Sequence, residues 1–276
     1  MTEVSFPGLG IKTIAIDPVA FELFNRPIYW YGLIIALALF AGVCVALLRC
    51  KRQHISPDNV YDLALFATPA AVICARLYYV IFNFELYRDN LVKVFYLWEG
   101  GIAIYGAVIG AVSTAYIYAK VKKLNVGNLF DMGCIALILG QSIGRWGNFI
   151  NGEAYGVATD LPWRMAVNGV LAHPTFLYES LWNLAGFFLL WNYEKRKRFH
   201  GEVFWMYVLW YGVGRAWIEG LRTDSLMLGT IRVSQLVAIL TAVVAVFLIL
   251  RYRKKYKETP VVYPELEEET NEKSDD

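Results

Sequence analysis

The chain has 276 residues, of which 57% are hydrophobic, 16% are aromatic and only 18% are charged. An average soluble domain carries about 25% charged residues, so this composition excludes an ordinary soluble enzyme and favours an integral membrane protein. The formal net charge of +2 gives no reason to expect a nucleic-acid partner.

Seven apolar stretches approach the length of about 20 residues that an α-helix needs to cross a bilayer. In chain order they cover residues 27–48, 63–84, 100–119, 132–150, 174–193, 203–221 and 233–250. The first, third and last contain no charged residue, and the other four contain one or two each. The predicted fold class is therefore an all-α integral membrane protein with a seven-helix transmembrane bundle.

The positions of lysine and arginine predict the orientation of these spans. Clusters of basic residues follow the first, third, fifth and seventh spans, at 49–52, 120–123, 195–198 and 251–257. The opposite connections contain few basic residues, and basic residues concentrate on the cytoplasmic side of membrane proteins. We therefore predict that the N-terminus lies outside and the C-terminus lies in the cytoplasm.

The domain organisation follows from this topology. Residues 1–250 are predicted to form a single seven-span membrane domain, with an interfacial stretch near 18–24. Its outer segments are short, at 1–26, 84–99, 151–173 and 222–232. Residues 251–276 are basic and then acidic, which is typical of a disordered cytoplasmic tail.

Polar residues converge at the predicted outer ends of two spans. In the fourth span, Gln141, Arg145 and Asn148 are spaced i, i+4, i+7 and share one helical face. The sixth span carries a similar stripe formed by Tyr211, Arg215, Glu219 and Arg222. Charge inside a membrane is costly and by default marks a functional site. Two arginines at this depth suit the phosphate of a phospholipid, because guanidinium binds phosphate bidentately and stays charged.

Simpler interpretations of these residues remain open. Arg215 and Glu219 have the spacing of an intrahelical ion pair. Tyr31 is also typical of the aromatic belts at membrane interfaces, as is Tyr211. Arg76 fits a structural counter-charge as well as a ligand contact, and Glu179 is open in the same way. Glycine pairs spaced by four, at 106 and 110 and at 140 and 144, predict close helix packing.

A second class of function is also open at this point. Intramembrane arginines line the pathways of anion or lipid transporters as well as enzyme sites. The polar stripes lie near the outer ends of the spans rather than at the midplane, and no inverted repeat is visible, which argues against transport. The three histidines are far apart in sequence and suggest no metal site.

The ten residues 144–153, with the sequence GRWGNFINGE, resemble the signature of the prolipoprotein diacylglyceryl transferase family. Further similar segments occur in the family order at 30–32, 73–79, 100–106, 173–179 and 211–222. The resemblance implies a seven-helix enzyme that transfers the diacylglyceryl group of phosphatidylglycerol to the thiol of a lipobox cysteine in the signal peptide of a prolipoprotein. The products would be a thioether and glycerol 1-phosphate.

The resemblance also implies a location and a set of roles. The enzyme would span the bacterial cytoplasmic membrane, with the bilayer around it, no cofactor, and its active site toward the outer face. The residues assigned to catalysis are Arg145, Arg215, Tyr105, Glu153 and Tyr211. The residues assigned to substrate binding are Arg145, Asn148, Asn151, Gly156, Tyr31 and Arg222.

One residue departs from the family pattern. Many members have a histidine, a candidate base, at the position of Tyr105. Neutral tyrosine is a poor base at neutral pH, so we expect Tyr105 to orient a headgroup or to donate a hydrogen bond. The substrate phosphate and Glu153 are alternative acceptors for the thiol proton, and the sequence leaves the choice open.

Overall fold

A computed structural model describes residues 1–97, 100–223, 227–229 and 231–256 of the chain. It divides into two compact units. The first unit contains Met1–Val45 and Gly133–Asp276, and the second contains Ala46–Met132.

Among the described residues, seven α-helices follow the seven predicted apolar stretches. They are α1 (Trp30–Cys50), α2 (Pro57–Phe82), α3 (Ile104–Val121), α4 (Val126–Asn151), α5 (Thr175–Tyr193), α6 (Glu202–Leu221) and α7 (Val233–Lys255). Five of them, α1 to α4 and α7, are long and apolar enough to cross a membrane. Helices α5 and α6 have a suitable length, but their buried polar and charged residues make them less apolar. The helical class of the protein is thus confirmed. That α5 and α6 also cross the membrane, which would make seven spans, stays a prediction.

Several helices extend beyond their predicted ends, because polar residues continue a helix that hydropathy alone does not detect. Helix α2 begins at Pro57, six residues before the predicted start, where the Ser56 side chain accepts a hydrogen bond from the Asn59 amide. Helix α7 continues to Lys255, beyond the predicted boundary at 250. Residues 257–276 of the predicted tail lie outside the described residues.

Short β-strands occur before α1 and between later helices of the first unit, and the all-α prediction did not include them. Strands β1 (Thr2–Phe6), β2 (Ile11–Ile16), β5 (Met165–Val167) and β6 (Val170–Ala172) form an antiparallel sheet in the order β2-β1-β5-β6. Two hairpins are separate from it, β3 (Val19–Leu23) with β4 (Arg26–Tyr29), and β7 (Met227–Leu228) with β8 (Ile231–Arg232). Strands of two to six residues are too short for a span-length hydropathy pattern to reveal.

Turn chemistry explains where one of these hairpins forms. Strands β5 and β6 are joined by Asn168 and Gly169, which both have positive φ angles, of 48° and 84°. An Asn-Gly pair is the preferred sequence for such a two-residue turn. The hairpin buries Met165 and Val167 against Val4 of β1 and Phe176 of α5, so the segment after α4 is packed against the start of α5.

The helical core of the first unit lies where α4, α5 and α6 pack together. Ile138, Leu190 and Val203 are fully buried there. Gly140 and Gly144 of α4 face α1, where a Cβ on each would lie 3.6 Å from Ala38 O and Ile35 Cδ1, respectively. This is an ordinary van der Waals distance at which alanine would also fit, so a close approach that depends on this glycine pair stays a prediction.

The second unit is built on the packing of α2 against α3. A Cβ added to Gly106 would lie 2.3 Å from Cys74 O, and one on Gly110 would lie 2.7 Å from Ala70 O. Only glycine permits this approach, so the predicted packing role is confirmed for the pair at 106 and 110. Toward the C-terminus of α3, the Tyr118 hydroxyl lies within hydrogen-bond distance of Asn59 and Asp62, near the N-terminus of α2.

Arg76 of α2 is buried and organises the segment between α2 and α3. Its guanidinium donates to five backbone carbonyls at 2.5–3.2 Å, and it lies 5.1 Å from the ring centroid of Tyr87. The acceptors are Lys93, Val94, Tyr96, Gly100 and Gly101. Of the two interpretations open from the sequence, the structure supports the structural one.

Candidate functional site

The C-terminus of α4 reverses the chain and gathers polar side chains. The amide of Glu153 donates to Asn148 O at 3.0 Å, and the amide of Gly152 donates to Phe149 O at 3.1 Å. These two bonds define a Schellman cap, in which Gly152 has the required positive φ of 63°. A Cβ on Gly152 would also lie 2.2 Å from Thr2 Cγ2. The cap therefore returns Glu153 to the side of α4 that carries Asn148.

Four residues predicted from the sequence are joined at this cap by hydrogen bonds. Asn148 Nδ2 donates to Glu153 Oε1 at 2.9 Å, and Asn151 Nδ2 donates to the same oxygen at 3.4 Å. Arg145 Nη1 donates to Asn148 Oδ1 at 3.2 Å. The arginine is thus linked through one amide to the carboxylate, which restricts the orientation of all four side chains.

The centre of the site is Glu179, on the second turn of α5. Its side chain is only 4% exposed and contacts three arginines. Arg145 Nη2 donates to Glu179 Oε1, and Arg215 Nη1 lies 3.4 Å from the same oxygen. Arg222 Nη1 lies 3.8 Å from Oε2. One carboxylate therefore brings together arginines from α4, from α6 and from the residue that follows α6.

The predicted ion pair within α6 is confirmed. Arg215 Nη2 lies 2.6 Å from Glu219 Oε2, and the Glu219 side chain is 1% exposed. The cluster formed by Arg145, Arg215, Arg222, Glu179 and Glu219 is called the arginine–glutamate cluster below. Its three positive and two negative groups leave one positive charge. Arg145 and Arg215 keep 22% and 17% of their side-chain surface exposed, so an anion can reach them.

Gly156 holds the segment after α4 against two other elements. Its amide donates to His173 O at 2.9 Å, and the next amide, that of Val157, donates to Leu221 O at 2.7 Å. A Cβ on Gly156 would lie 2.8 Å from His173 Cβ and 2.9 Å from Leu221 O. Gly156 also forms an isolated antiparallel β-bridge with Arg222. The glycine thus allows the close approach that positions Arg222 beside Glu179.

The two predicted tyrosines of the first unit have identifiable surroundings. The ring of Tyr31 lies over Gly147 of α4, where a Cβ would be 2.7 Å from Tyr31 Cδ2. Tyr31 and Asn151 border a cavity of about 500 Å³, whose other lining residues are mainly apolar. Tyr211 stacks against Tyr207 with a centroid separation of 5.9 Å. Tyr31 therefore contacts the helix that carries Arg145, and Tyr211 lies on the helix that carries Arg215.

Tyr105 lies in the second unit, in the first turn of α3. The residue is 43% exposed, and its ring centroid is 6.3 Å from that of Tyr78. Its role stays a prediction.

Sequence reasoning did not select Glu179 as a site residue, although the signal was present. It is the only charged residue in the fifth apolar stretch, and an isolated carboxylate in such a stretch marks a functional site by default. It also lies in segment 173–179, which carries part of the resemblance. What sequence could not supply was the identity of its partners, which come from α4, from α6 and from the residue that follows α6.

Helices apolar enough to cross a membrane, together with a cluster of partly exposed arginines that carries a net positive charge, are typical of a membrane protein whose site suits an anionic group. The family model of the prolipoprotein diacylglyceryl transferases matches residues 18–251. The chain belongs to this family and is a transferase.

Curated relatives agree with this assignment over nearly their whole length. A phosphatidylglycerol–prolipoprotein diacylglyceryl transferase of Clostridioides difficile (strain 630) is 44% identical over 242 residues, which cover 88% of this chain and 98% of the relative. The proteins of the same name from Finegoldia magna and Listeria welshimeri are 46% and 44% identical, over 87% and 90% of this chain. The matched regions cover 97% of the Finegoldia magna protein and 93% of the Listeria welshimeri protein. The names favour a transferase over the transport alternative.

Proposed function

We propose that this chain transfers the diacylglyceryl group of phosphatidylglycerol to the thiol of a lipobox cysteine in a prolipoprotein. A bond forms between the sulfur and a glycerol carbon while the bond from that carbon to the phosphate oxygen breaks. The products are a thioether and glycerol 1-phosphate. The relatives' names support both substrates, and the meeting of three arginines at Glu179 is the observation that carries the proposal.

The arginine–glutamate cluster suits the charge that develops in this reaction. The phosphate leaves as a monoester and gains negative charge as the carbon–oxygen bond breaks. Guanidinium groups already oriented toward that position stabilise the developing charge without reorganising during the reaction. In this proposal Arg145 and Arg215 bind the phosphate, Arg222 adds a third positive charge, and Glu179 holds the three arginines in place.

The remaining roles surround the cluster. The thiolate is the nucleophile, and the thiol from which it forms gives its proton to Glu153 or to the substrate phosphate. Tyr211 and Tyr105 orient the headgroup or donate hydrogen bonds. Asn148, Asn151, Gly156 and Tyr31 complete the substrate-binding set, directly or by positioning its neighbours.

The site is proposed to face outward in the bacterial cytoplasmic membrane, with seven spans and an outer N-terminus. Support comes from the alternation of basic clusters along the chain and from the five helices that are apolar enough to cross a membrane. A lipid and a signal peptide would both reach the arginine–glutamate cluster from the outer leaflet.

The decisive experiment supplies phosphatidylglycerol and a lipobox peptide to the purified protein in detergent. We expect release of glycerol 1-phosphate and a peptide whose mass increases by one diacylglyceryl group. A peptide with serine in place of the lipobox cysteine is the control and should give neither product. Movement of lipid or anion across liposomes, with the peptide unmodified, would overturn the proposal in favour of transport.

A further inference from the structure

Three helices of the first unit place a neutral polar residue one turn away from the arginine–glutamate cluster. On α4, Gln141 precedes Arg145 by four residues. On α5, Asn183 follows Glu179 by four, and on α6, Tyr211 precedes Arg215 by four. Four residues of α-helix advance about 6 Å and return to the same face. Gln141, Asn183 and Tyr211 are called the inner polar layer below.

Helix contacts show that these residues are displaced from the cluster in the same direction. Helix α5 runs antiparallel to α4, because Ser142 Oγ donates to Ser180 O at 2.8 Å while a Cβ on Gly186 would lie 2.6 Å from Ile138 Cδ1. Asn183 lies between Ser180 and Gly186, so it is level with the stretch of α4 just below Ser142. Counting backward on α4 and forward on α5 therefore leads to the same depth.

Helix α6 packs against α5 at the corresponding depth. The indole N–H groups of Trp182 and Trp210 donate to each other's backbone carbonyls at 3.0 Å. Because Arg215 meets Glu179 and Trp210 meets Trp182, α6 is also antiparallel to α5. The inner polar layer is further connected between helices by Gln141 Nε2, which donates to Tyr207 Oη at 3.0 Å.

Two side chains of this layer, Gln141 and Asn183, have polar atoms without a hydrogen-bond partner among the described residues. Asn183 is completely buried, and neither its Nδ2 nor its Oδ1 has a hydrogen-bond partner in the part of the chain that the structure describes. Oε1 of Gln141 is likewise buried, and it too lacks a hydrogen-bond partner among the described residues. Burying an amide without a hydrogen bond is unfavourable, so such a group needs an explanation.

The asparagines near Glu153 differ from Asn183 in this respect. Asn148 accepts from Arg145 and donates to Glu153, and Asn151 donates to Glu153. The amide of Asn148 is therefore engaged at both ends by protein groups, whereas neither end of the Asn183 amide has a partner in the described part of the chain.

The chemistry of the unused groups restricts the ligand. They comprise one NH₂ donor on Asn183 and two oxygen acceptors, one on each residue. An ester carbonyl or a phosphate oxygen only accepts hydrogen bonds and would leave both oxygens without a donor. A hydroxyl both donates and accepts. Two hydroxyls on one short group would satisfy the NH₂ and both oxygens together.

We infer that Gln141 and Asn183 bind the two hydroxyls of the glycerol headgroup of phosphatidylglycerol. This inference rests on the proposed function. The phosphate lies between Arg145 and Arg215, and the three-carbon headgroup extends one helical turn to the inner polar layer. The charged cluster then recognises the phosphate, and the neutral layer selects the headgroup. An ethanolamine headgroup supplies no acceptor for the Asn183 NH₂, and phosphatidic acid supplies no group that reaches the layer.

The test compares phosphatidylglycerol with phosphatidylpropanol, whose headgroup has the same carbon chain without hydroxyls. For the unmodified protein we expect kcat/KM to be at least about tenfold higher with phosphatidylglycerol, because a site built to bind hydroxyls discriminates against their absence. In Asn183→Leu the ratio between the two lipids should fall toward one. Asn192→Leu is the matched control on the same helix, and it should keep the original ratio.

Stability measurements separate this role from that of a buried structural water. Leucine replaces an unpartnered amide in Asn183→Leu, so the thermal midpoint should hold or rise. A lower midpoint with an unchanged lipid ratio overturns the inference, and so does equal use of both lipids by the unmodified protein. If the unmodified protein forms no thioether from phosphatidylglycerol, the proposed function itself fails.

Discussion

At the scale of single residues, the carboxylate of Glu179 holds an unusual number of charged partners. A carboxylate offers about four lone-pair positions, so it can face several guanidinium groups at once. A buried ion is stable only when partners replace its lost hydration. With 4% of its side chain exposed, Glu179 depends on the three arginines, and they in turn depend on it for their orientation.

The substitution Glu179→Gln tests this mutual dependence. It leaves three arginines without their shared counter-charge, and breaking a buried pair in this way costs about 3–5 kcal/mol. We expect a lower thermal midpoint in detergent and loss of most transfer activity. Glu22→Gln changes an exposed glutamate of β3 in the same way and should alter neither. Unchanged activity and midpoint in Glu179→Gln would show that the arginines are positioned by other groups.

Arg145 is proposed to act through the geometry of its guanidinium as well as its charge. Lysine keeps the charge but cannot donate two parallel hydrogen bonds. Removing a donor that stabilises a developing anion typically costs about 10²–10³ in kcat, so we expect a loss of that order for Arg145→Lys and no detectable transfer for Arg145→Ala. The control is Arg26→Lys, at an exposed position of β4. Normal turnover by a folded Arg145→Ala protein is incompatible with the proposed role.

At the scale of elements, Gly156 connects the segment after α4 to the start of α5 and the end of α6. The substitution Gly156→Ala places a Cβ within 2.9 Å of backbone and of Thr175 Cγ2, and these atoms cannot all move aside. We expect displacement of Arg222 from Glu179, with lower activity and a lower thermal midpoint. Gly133→Ala, in α4, is the control because nothing beyond the adjacent backbone of its own helix lies within 4 Å of the added Cβ. Equal behaviour of the two variants would argue against this connecting role.

Arg76 performs a comparable task in the second unit, where it holds the segment between α2 and α3. Lysine provides three donors on a single nitrogen and cannot reach five carbonyls. The substitution Arg76→Lys is expected to cost about 2 kcal/mol and to expose residues 84–97 to proteolysis. Arg88→Lys, which changes an arginine 61% exposed in the same segment, should leave the cleavage rate as it is. Resistance to protease equal to that of the unmodified protein would contradict the structural role of Arg76.

At the scale of the whole molecule, the orientation in the membrane is open to direct labelling. In a background without Cys44, Cys50, Cys74 and Cys134, single cysteines replace exposed lysines and an arginine. An impermeant maleimide applied to intact spheroplasts should label Lys12→Cys and Arg88→Cys. It should label Lys122→Cys and Lys195→Cys only after permeabilisation, because these sites lie in the predicted cytoplasmic connections. The reverse pattern would refute the proposed topology.

Hydropathy located all seven helices, including α5 and α6, which are less apolar than the others. It placed helix ends less well, since polar residues such as Asp58 and Asn59 continue α2 without any apolar signal. The strands were missed for a different reason. Their formation depends on partners distant in sequence, as when Val4 of β1 pairs with Val167 of β5, and no local pattern contains that information.

Local sequence features are enough to identify a helical membrane protein and to single out arginines 145 and 215 as its unusual residues. These conclusions follow from local properties, namely the length of apolar stretches and the cost of placing charge within them. That Arg145, Arg215 and Arg222 meet at Glu179, and that Arg76 donates to backbone carbonyls, became evident from the folded arrangement. Such partners are set by the packing of helices against one another and by the turns that join them, and residues 34 to 43 positions apart become neighbours only after folding.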